Sequence, residues 1–355
     1  MTKIDKDYFP KDAYLILYGN IVPVKGYRRS TLCDGHREEF YLIPNALYEL
    51  IVQGRDMTIG GLLEWAGPEN EETVYEYFHY LMENELAMVT PEPELFPVIT
   101  TEYRSPHPIT NALLDLNEDS EYDFLSVAKQ LSDLGCLTVE VRCFFPATKE
   151  KLLEIGAAFD ESRLKSIEIV TGWNPDISNE EYSGLLMDCG RLISVVISGA
   201  PKNEEIKGVI GQGDIRYVTQ VIDSADCCGF ISKKTLCTNI TIITEAMNYN
   251  SCLNRKVGID VEGNIKNCPS SSQTYGSVID TQLQDVVRSE EFTAKWMITK
   301  DQIEICKDCE FRYLCTDCRV FTEDAQNPYS KPARCNYDPY QAKWAVEKQE
   351  VLNNA

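Results

Sequence analysis

Fourteen cysteines stand in this chain of 355 residues, and seven of them fall between residues 252 and 335. That density constrains the fold more than any other feature. The start, Met1-Thr2-Lys3-Ile4-Asp5-Lys6-Asp7, lacks the apolar core of a secretion signal. No run of eighteen apolar residues occurs either. A cytoplasmic chain without membrane insertion is therefore expected. Cytosolic thiols are kept reduced, so the cysteines point to metal binding or catalysis rather than to disulfides.

Their spacing is specific. Cys252 is followed by ten residues, Gly263, four residues and Cys268, which predicts a hairpin: Val257 to Val261 rises, Glu262-Gly263-Asn264 turns, and Ile265-Lys266 returns. Next come Cys306, Cys309, Cys315 and Cys318 as Cys-x2-Cys-x5-Cys-x2-Cys, with Cys335 farther on. A two-residue gap lets both sulfurs face one metal. Several buried thiolates repel one another unless a metal or cluster neutralises them. Zinc and iron-sulfur clusters both meet that need.

The rest of the chain reads as two further units. Tyr14 to Val24, Tyr27 to Leu32 and Glu39 to Ile43 are expected as a three-stranded sheet, followed by helices over Ala46 to Gln53, Ile59 to Trp65 and Glu71 to Glu85. A proline-rich linker runs from Pro91 to Pro108. Beyond it, strands are expected at Ile109 to Leu116, Leu137 to Phe145, Ile167 to Val170, Leu192 to Ile197 and Asn239 to Ile243. Helices are expected to begin near Phe124, Lys149, Asn179 and Asp214. That alternation predicts a parallel sheet with right-handed crossovers, and too few units to close an eight-stranded barrel. The fold class is α/β: a partial (β/α) barrel over 93–245, between an α+β module over 1–92 and a cysteine-rich domain over 246–355.

Thirty-four basic against fifty-six acidic residues give a formal charge of -22, so nucleic acid is excluded as an expected partner. Lys25, Arg28 and Arg29 form a local basic patch suited to docking an acidic peptide. The only histidines are His36, His79 and His107, so no histidine base is available beyond residue 107. His79 reads as a structural or surface residue. Gly208 to Gly213 lacks the lysine of a phosphate loop. Glu118, Asp119 and Glu121 read as an exposed acidic loop. Cys136, Cys143, Cys189, Cys227 and Cys228 show no ligand spacing and read mostly as buried free thiols.

The set from Cys252 to Cys335 resembles the SPASM domain, an extension of many radical SAM enzymes that modify peptides and hold auxiliary four-iron clusters. The Cys315 to Cys318 gap departs from it, with two residues where the commoner form has three. The resemblance implies two 4Fe-4S clusters that interleave along the chain. One is assigned Cys306, Cys309, Cys315 and Cys335; the other Cys252, Cys268 and Cys318. The second lacks a fourth ligand, for which Cys237 is the nearest upstream candidate, and an open position is the alternative. A structural zinc ribbon is the other reading of the same thiols.

The N-terminal order of strands then helices resembles the winged-helix-like precursor-recognition element of peptide-modifying enzymes, which pairs a leader peptide with an edge strand. The radical-initiating Cys-x3-Cys-x2-Cys loop is missing, however. Asn117-Glu118-Asp119-Ser120-Glu121-Tyr122-Asp123 stands in its place, and Arg142-Cys143-Phe144-Phe145-Pro146 replaces the glycine-rich methionine-binding segment. S-adenosylmethionine is therefore not expected as a cofactor. With the ending Cys335-Asn336-Tyr337-Asp338-Pro339-Tyr340, the chain resembles the SPASM-domain peptide maturases of grasp-with-spasm systems. That resemblance implies a ribosomal precursor peptide, an ATP-grasp ligase and an exporter as partners. Two functions follow as expectations: a maturation factor that presents the precursor to the ligase, or a peptide-modifying enzyme that uses an open auxiliary cluster.

Overall fold

The computed structural model describes residues 6–208 and 213–345; within Gly208 to Gly213, residues 209–212 lie outside that range. The N-terminal unit opens with β1 (Tyr14–Leu17) and β2 (Ile21–Val24), then β3 (Ser30–Asp34) and β4 (Glu39–Ile43). Tyr18-Gly19-Asn20 breaks the expected first strand in two, and the halves take different partners. β2, β3 and β4 form the three-stranded antiparallel sheet, while β1 pairs with β5 (Ala87–Thr90). Three helices lie between: α1 (Asn45–Gly54), α2 (Ile59–Ala66) and α3 (Glu71–Glu83). In α3, Val74, Tyr75, Phe78 and Leu81 recur at helical spacing and are all buried against Leu47, Leu50 and Leu62.

The central sheet has eight strands. β6 (Asn111–Leu116), β7 (Thr138–Cys143), β8 (Ser166–Gly172), β9 (Leu192–Ser198), β10 (Glu204–Ile206) and β11 (Asp214–Val218) come from the expected barrel region, and β12 (Lys256–Ile259) and β13 (Ile265–Lys266) from the cysteine hairpin. Their spatial order is β10-β11-β9-β8-β7-β6-β12-β13, with six parallel strands inside two antiparallel edges. It is an open sheet, consistent with a partial barrel. Side-chain caps fix where its crossover helices begin: Asp123 for α4 (Phe124–Asp133), Thr148 for α5 (Lys149–Ala157), and a Ser178–Glu181 capping box for α6 (Asn179–Asp188).

Two expected elements are reversed. Asp214 begins a strand and no helix, because Ile215 and Tyr217 alternate inward beside β9. Asn239 to Ile243 is not a strand but the start of α7 (Ile240–Asn248), capped by the Asn239 side chain on the Thr241 N–H. The β-branched run favours a strand locally. Burial decides otherwise: Ile243 and Ala246 lie three residues apart on one face and pack with Val22, Cys33 and Leu314.

That last cluster joins the N-terminal sheet to the cysteine-rich segment. Arg29 Nε donates to Glu310 Oε1 at 2.7 Å, and Glu310 is wholly buried. Tyr27 N–H donates to the Asp308 carbonyl at 2.8 Å. Gly26 is required there, since a Cβ would lie 2.4 Å from the Arg29 carbonyl and 2.8 Å from the Glu310 nitrogen.

Candidate metal centre

The hairpin is built as its sequence implies. Gly263 turns it with φ of +81°, and Asp260 accepts from the Glu262 and Asn264 N–H groups while pairing with Lys266 at 2.8 Å. β12 lies parallel to β6, with Lys256 opposite Asn111. Cys252 is held by Asn250, whose Oδ1 accepts from the Cys252 and Leu253 N–H groups and whose Nδ2 donates to Asp317 Oδ2 at 2.6 Å. Ser251 Oγ donates to the Cys315 carbonyl at 3.1 Å. Asn250 and Ser251 therefore fasten the first cysteine of the set to the segment carrying Cys315 and Cys318.

The thiols fall into two neighbourhoods. In the first, burial pushes Cys306 up to about 12, Lys300 opposes that shift, and charge on Cys315, Asp317 and Cys335 adds to it. Cys309 is raised by burial and then by Cys315, and Cys335 by burial, with Cys315 contributing. Cys306, Cys309, Cys315 and Cys335 thus share one region. Phe311, Tyr337 and Trp344 pack beside it, with Phe311 5.1 Å from Tyr337 and Tyr337 4.8 Å from Trp344, ring centroid to centroid. Ile305, which precedes Cys306, has φ of +66°, a costly conformation for a β-branched residue.

In the second, Cys268 is raised by burial and then by Cys252, and Cys318 by burial with Cys252 and Cys228 contributing. Cys318 thus feels the charge of the hairpin thiol Cys252. Cys237, the expected fourth member, is exposed, and its N–H donates to the Leu314 carbonyl at 2.8 Å, beside Cys315 of the other set. Cys228, read from the sequence as a free thiol, is the residue that faces this set. Its thiol is raised by desolvation and then by Cys252 and Cys268.

Each set has one lysine on a sulfur. Lys300 is 2% exposed, and its ammonium donates to Cys315 Sγ at 2.6 Å and to the Cys315 and Thr316 carbonyls, each at 3.0 Å. Burial alone lowers its pKa, yet Cys315 and Asp317 hold it above the usual lysine value. Lys256 Nζ lies 3.7 Å from Cys252 Sγ, and Cys252, Cys268 and Glu140 likewise keep it raised against desolvation. Backbone N–H groups also point at sulfur: Phe311 to Cys309 at 3.4 Å and Phe321 to Cys318 at 3.3 Å. Cations and N–H donors aimed at sulfur are what a thiolate-held centre requires.

Among the described residues, no three Cys, His, Asp or Glu side chains enclose a single ion. A tetrahedral zinc site draws its sulfurs to about 3.8 Å from one another, given a Zn–S bond near 2.3 Å. A cuboidal cluster places each sulfur on a different iron and holds them farther apart. The donor chemistry fits either group.

One face of the central sheet carries charged and polar side chains. Parallel register puts Asp115, Glu140, Arg142, Glu168, Ser194 and Arg216 on one sheet face, opposite Leu114, Val141, Ile169, Val195 and Ile215. Arg142 binds Asp115 through two contacts of 2.7 and 2.8 Å, both residues buried. Burial pushes the Asp115 carboxyl up to about 6 against the pull of Arg142. Beyond it, Ser120 Oγ ties the acidic loop to the Val261 carbonyl at 2.8 Å, and Glu118, Asp119 and Glu121 are exposed, as expected.

The basic patch expected to dock an acidic peptide is engaged within the chain: Arg29 binds Glu310 and Lys25 binds Glu49, leaving Arg28 exposed. Cys136 and Cys143 are buried thiols pushed up to about 12 by desolvation, which makes them inert, as expected. Cys189 and Cys227 are half-buried, and Cys228 is exposed. His79 packs edge-on against Phe9 at 5.0 Å, a structural position.

No family model matches the chain, and no curated protein matches it. Among solved structures it is similar to Streptococcus suis SuiB bound to S-adenosylmethionine, at 10% identity, with 90% of this chain and 99% of that chain covered and a TM-score of 0.41. No described helix is long and apolar enough to cross a membrane.

Proposed function

We propose that the chain is a maturation factor for a ribosomally synthesised peptide: a SPASM-like C-terminal region holds two four-iron clusters, and the N-terminal module captures the precursor for an ATP-grasp ligase. The observation that carries this reading is the interleaving of the thiols. Cys318 sits between Cys315 and Cys335 in the chain, yet the thiols whose charge acts on it are Cys252 and Cys228. That is the ligand division implied by the SPASM resemblance. A linear zinc ribbon gives no reason for it.

The residues toward the clusters have plain roles. Cys306, Cys309, Cys315 and Cys335 would hold one, and Cys252, Cys268 and Cys318 three corners of the other. Lys300 and Lys256 balance charge, and Phe311, Tyr337 and Trp344 exclude water from the first site. Bound clusters supply one-electron chemistry or rigid cross-links between the segments. Peptide capture is supported by β4, which among the described residues pairs only with β3 and so offers a free edge. An apolar cleft of about 480 Å³ between β1, α1 and linker residues Phe96 and Val98 adds a second apolar surface.

The test is to mix anaerobically reconstituted protein with the proposed partners, a ribosomal precursor peptide and an ATP-grasp ligase. The expected result is precursor binding and faster ligase turnover, with the precursor's mass unchanged when the ligase is left out. Neither binding nor a change in turnover contradicts the proposal. A mass change without ligase moves the chain to the enzyme reading.

A further inference from the structure

We infer that Cys228 is the fourth ligand of the centre held by Cys252, Cys268 and Cys318, so that four thiolates of the chain close this site. The inference rests on the cluster reading above and extends it by one residue.

Cys228 lies on a loop tethered from two sides. On the first, Ser270 Oγ donates to the Ala225 carbonyl at 2.7 Å, and the Cys268 thiol lies 3.8 Å from that same Ser270 oxygen. On the second, Arg334 Nη2 donates to the Asp226 carbonyl at 2.7 Å, and the Ile231 N–H donates to the Arg334 carbonyl at 2.9 Å. The Arg334 guanidinium lies 3.9 Å from the Phe321 ring centroid, and Phe321 N–H points at Cys318 Sγ. The loop is therefore tied to residues that contact Cys268 and Cys318, and Cys228 stands between the tethered Asp226 and Ile231.

Its neighbours do not compete for the role. The Cys227 thiol turns into its own loop, 3.8 Å from both Ser224 Oγ and Asp223 Oδ1. Cys237 is anchored to Leu314, on the side of the other set. Lys256 Nζ lies 3.7 Å from Cys252 Sγ, which puts one cation at this set.

A fourth thiolate has a functional consequence. A three-cysteine cluster keeps one iron open to substrate, whereas a four-cysteine cluster has no vacant corner. This centre then transfers electrons or braces the fold, and does not bind the peptide as a Lewis acid.

The experiment is cysteine-resolved alkylation of the full chain, reconstituted anaerobically with iron and sulfide and treated with iodoacetamide before and after chelation. Cys228 is expected to be protected with Cys318 in the loaded protein and alkylated after chelation, while exposed Cys237 reacts in both. Equally fast alkylation of Cys228 and Cys237 in loaded protein overturns the inference.

Cys228→Ser and Cys237→Ser variants give a second readout. Mild oxidation of Cys228→Ser is expected to release about one of about eight irons and produce a three-iron EPR signal, with Cys237→Ser matching wild type. Wild-type iron content and spectra in Cys228→Ser overturn the inference and leave the cluster reading standing. Absence of sulfide from reconstituted wild type overturns both.

Discussion

A buried ammonium needs an anion, and Lys300 has one in Cys315, with no exposed route for water to substitute. Beside a loaded cluster that cation favours the reduced state. Lys300→Met is expected to lower the reduction potential of the Cys306 cluster by about 60 mV or more, a tenfold change in a one-electron equilibrium. The other cluster should not move. Potentiometric EPR on the two signals checks this, and an unchanged potential contradicts the role given to Lys300. The seven motif cysteines stood out in the sequence by their short spacings. Lys300, Lys256 and Cys228 were not, because each meets its sulfur through tertiary contacts that leave no period or motif. The one available signal was the Cys227-Cys228 pair lying upstream of a set one ligand short.

Elements were legible where caps and periodicity agreed, as in α4, α5, α6 and β6 to β9. They were misread where local preference opposed burial, as in α7, or where a short alternation was mistaken for a helix start, as in β11. The pairing of β1 with β5 spans more than sixty residues and had no local signal. Nor did the docking of the N-terminal sheet on the cysteine-rich loop, which converts the apparent basic patch into an internal joint. Removing Arg29 leaves the Glu310 carboxylate buried with the Tyr337 hydroxyl as its remaining side-chain partner. Arg29→Ala is expected to destabilise the chain by about 3–5 kcal/mol, the usual penalty for orphaning a buried charge. Denaturant unfolding checks it, and a loss below about 1 kcal/mol, the level of a surface pair, contradicts a joint at this position.

At the scale of the molecule, an open parallel sheet, a cysteine hairpin that joins its edge and an N-terminal module docked on the second cysteine segment form one connected body. Asp115 and Arg142 form a buried ion pair between β6 and β7, and the proposed chemistry rests on the two thiol sets. The most direct test of that account is anaerobic iron, sulfide and zinc analysis of the reconstituted full chain, alongside Cys309→Ala and Cys268→Ala. About eight irons and eight sulfides are expected for the wild type, with each variant losing about half. One or two equivalents of zinc without sulfide would contradict it and make the thiol sets a structural scaffold.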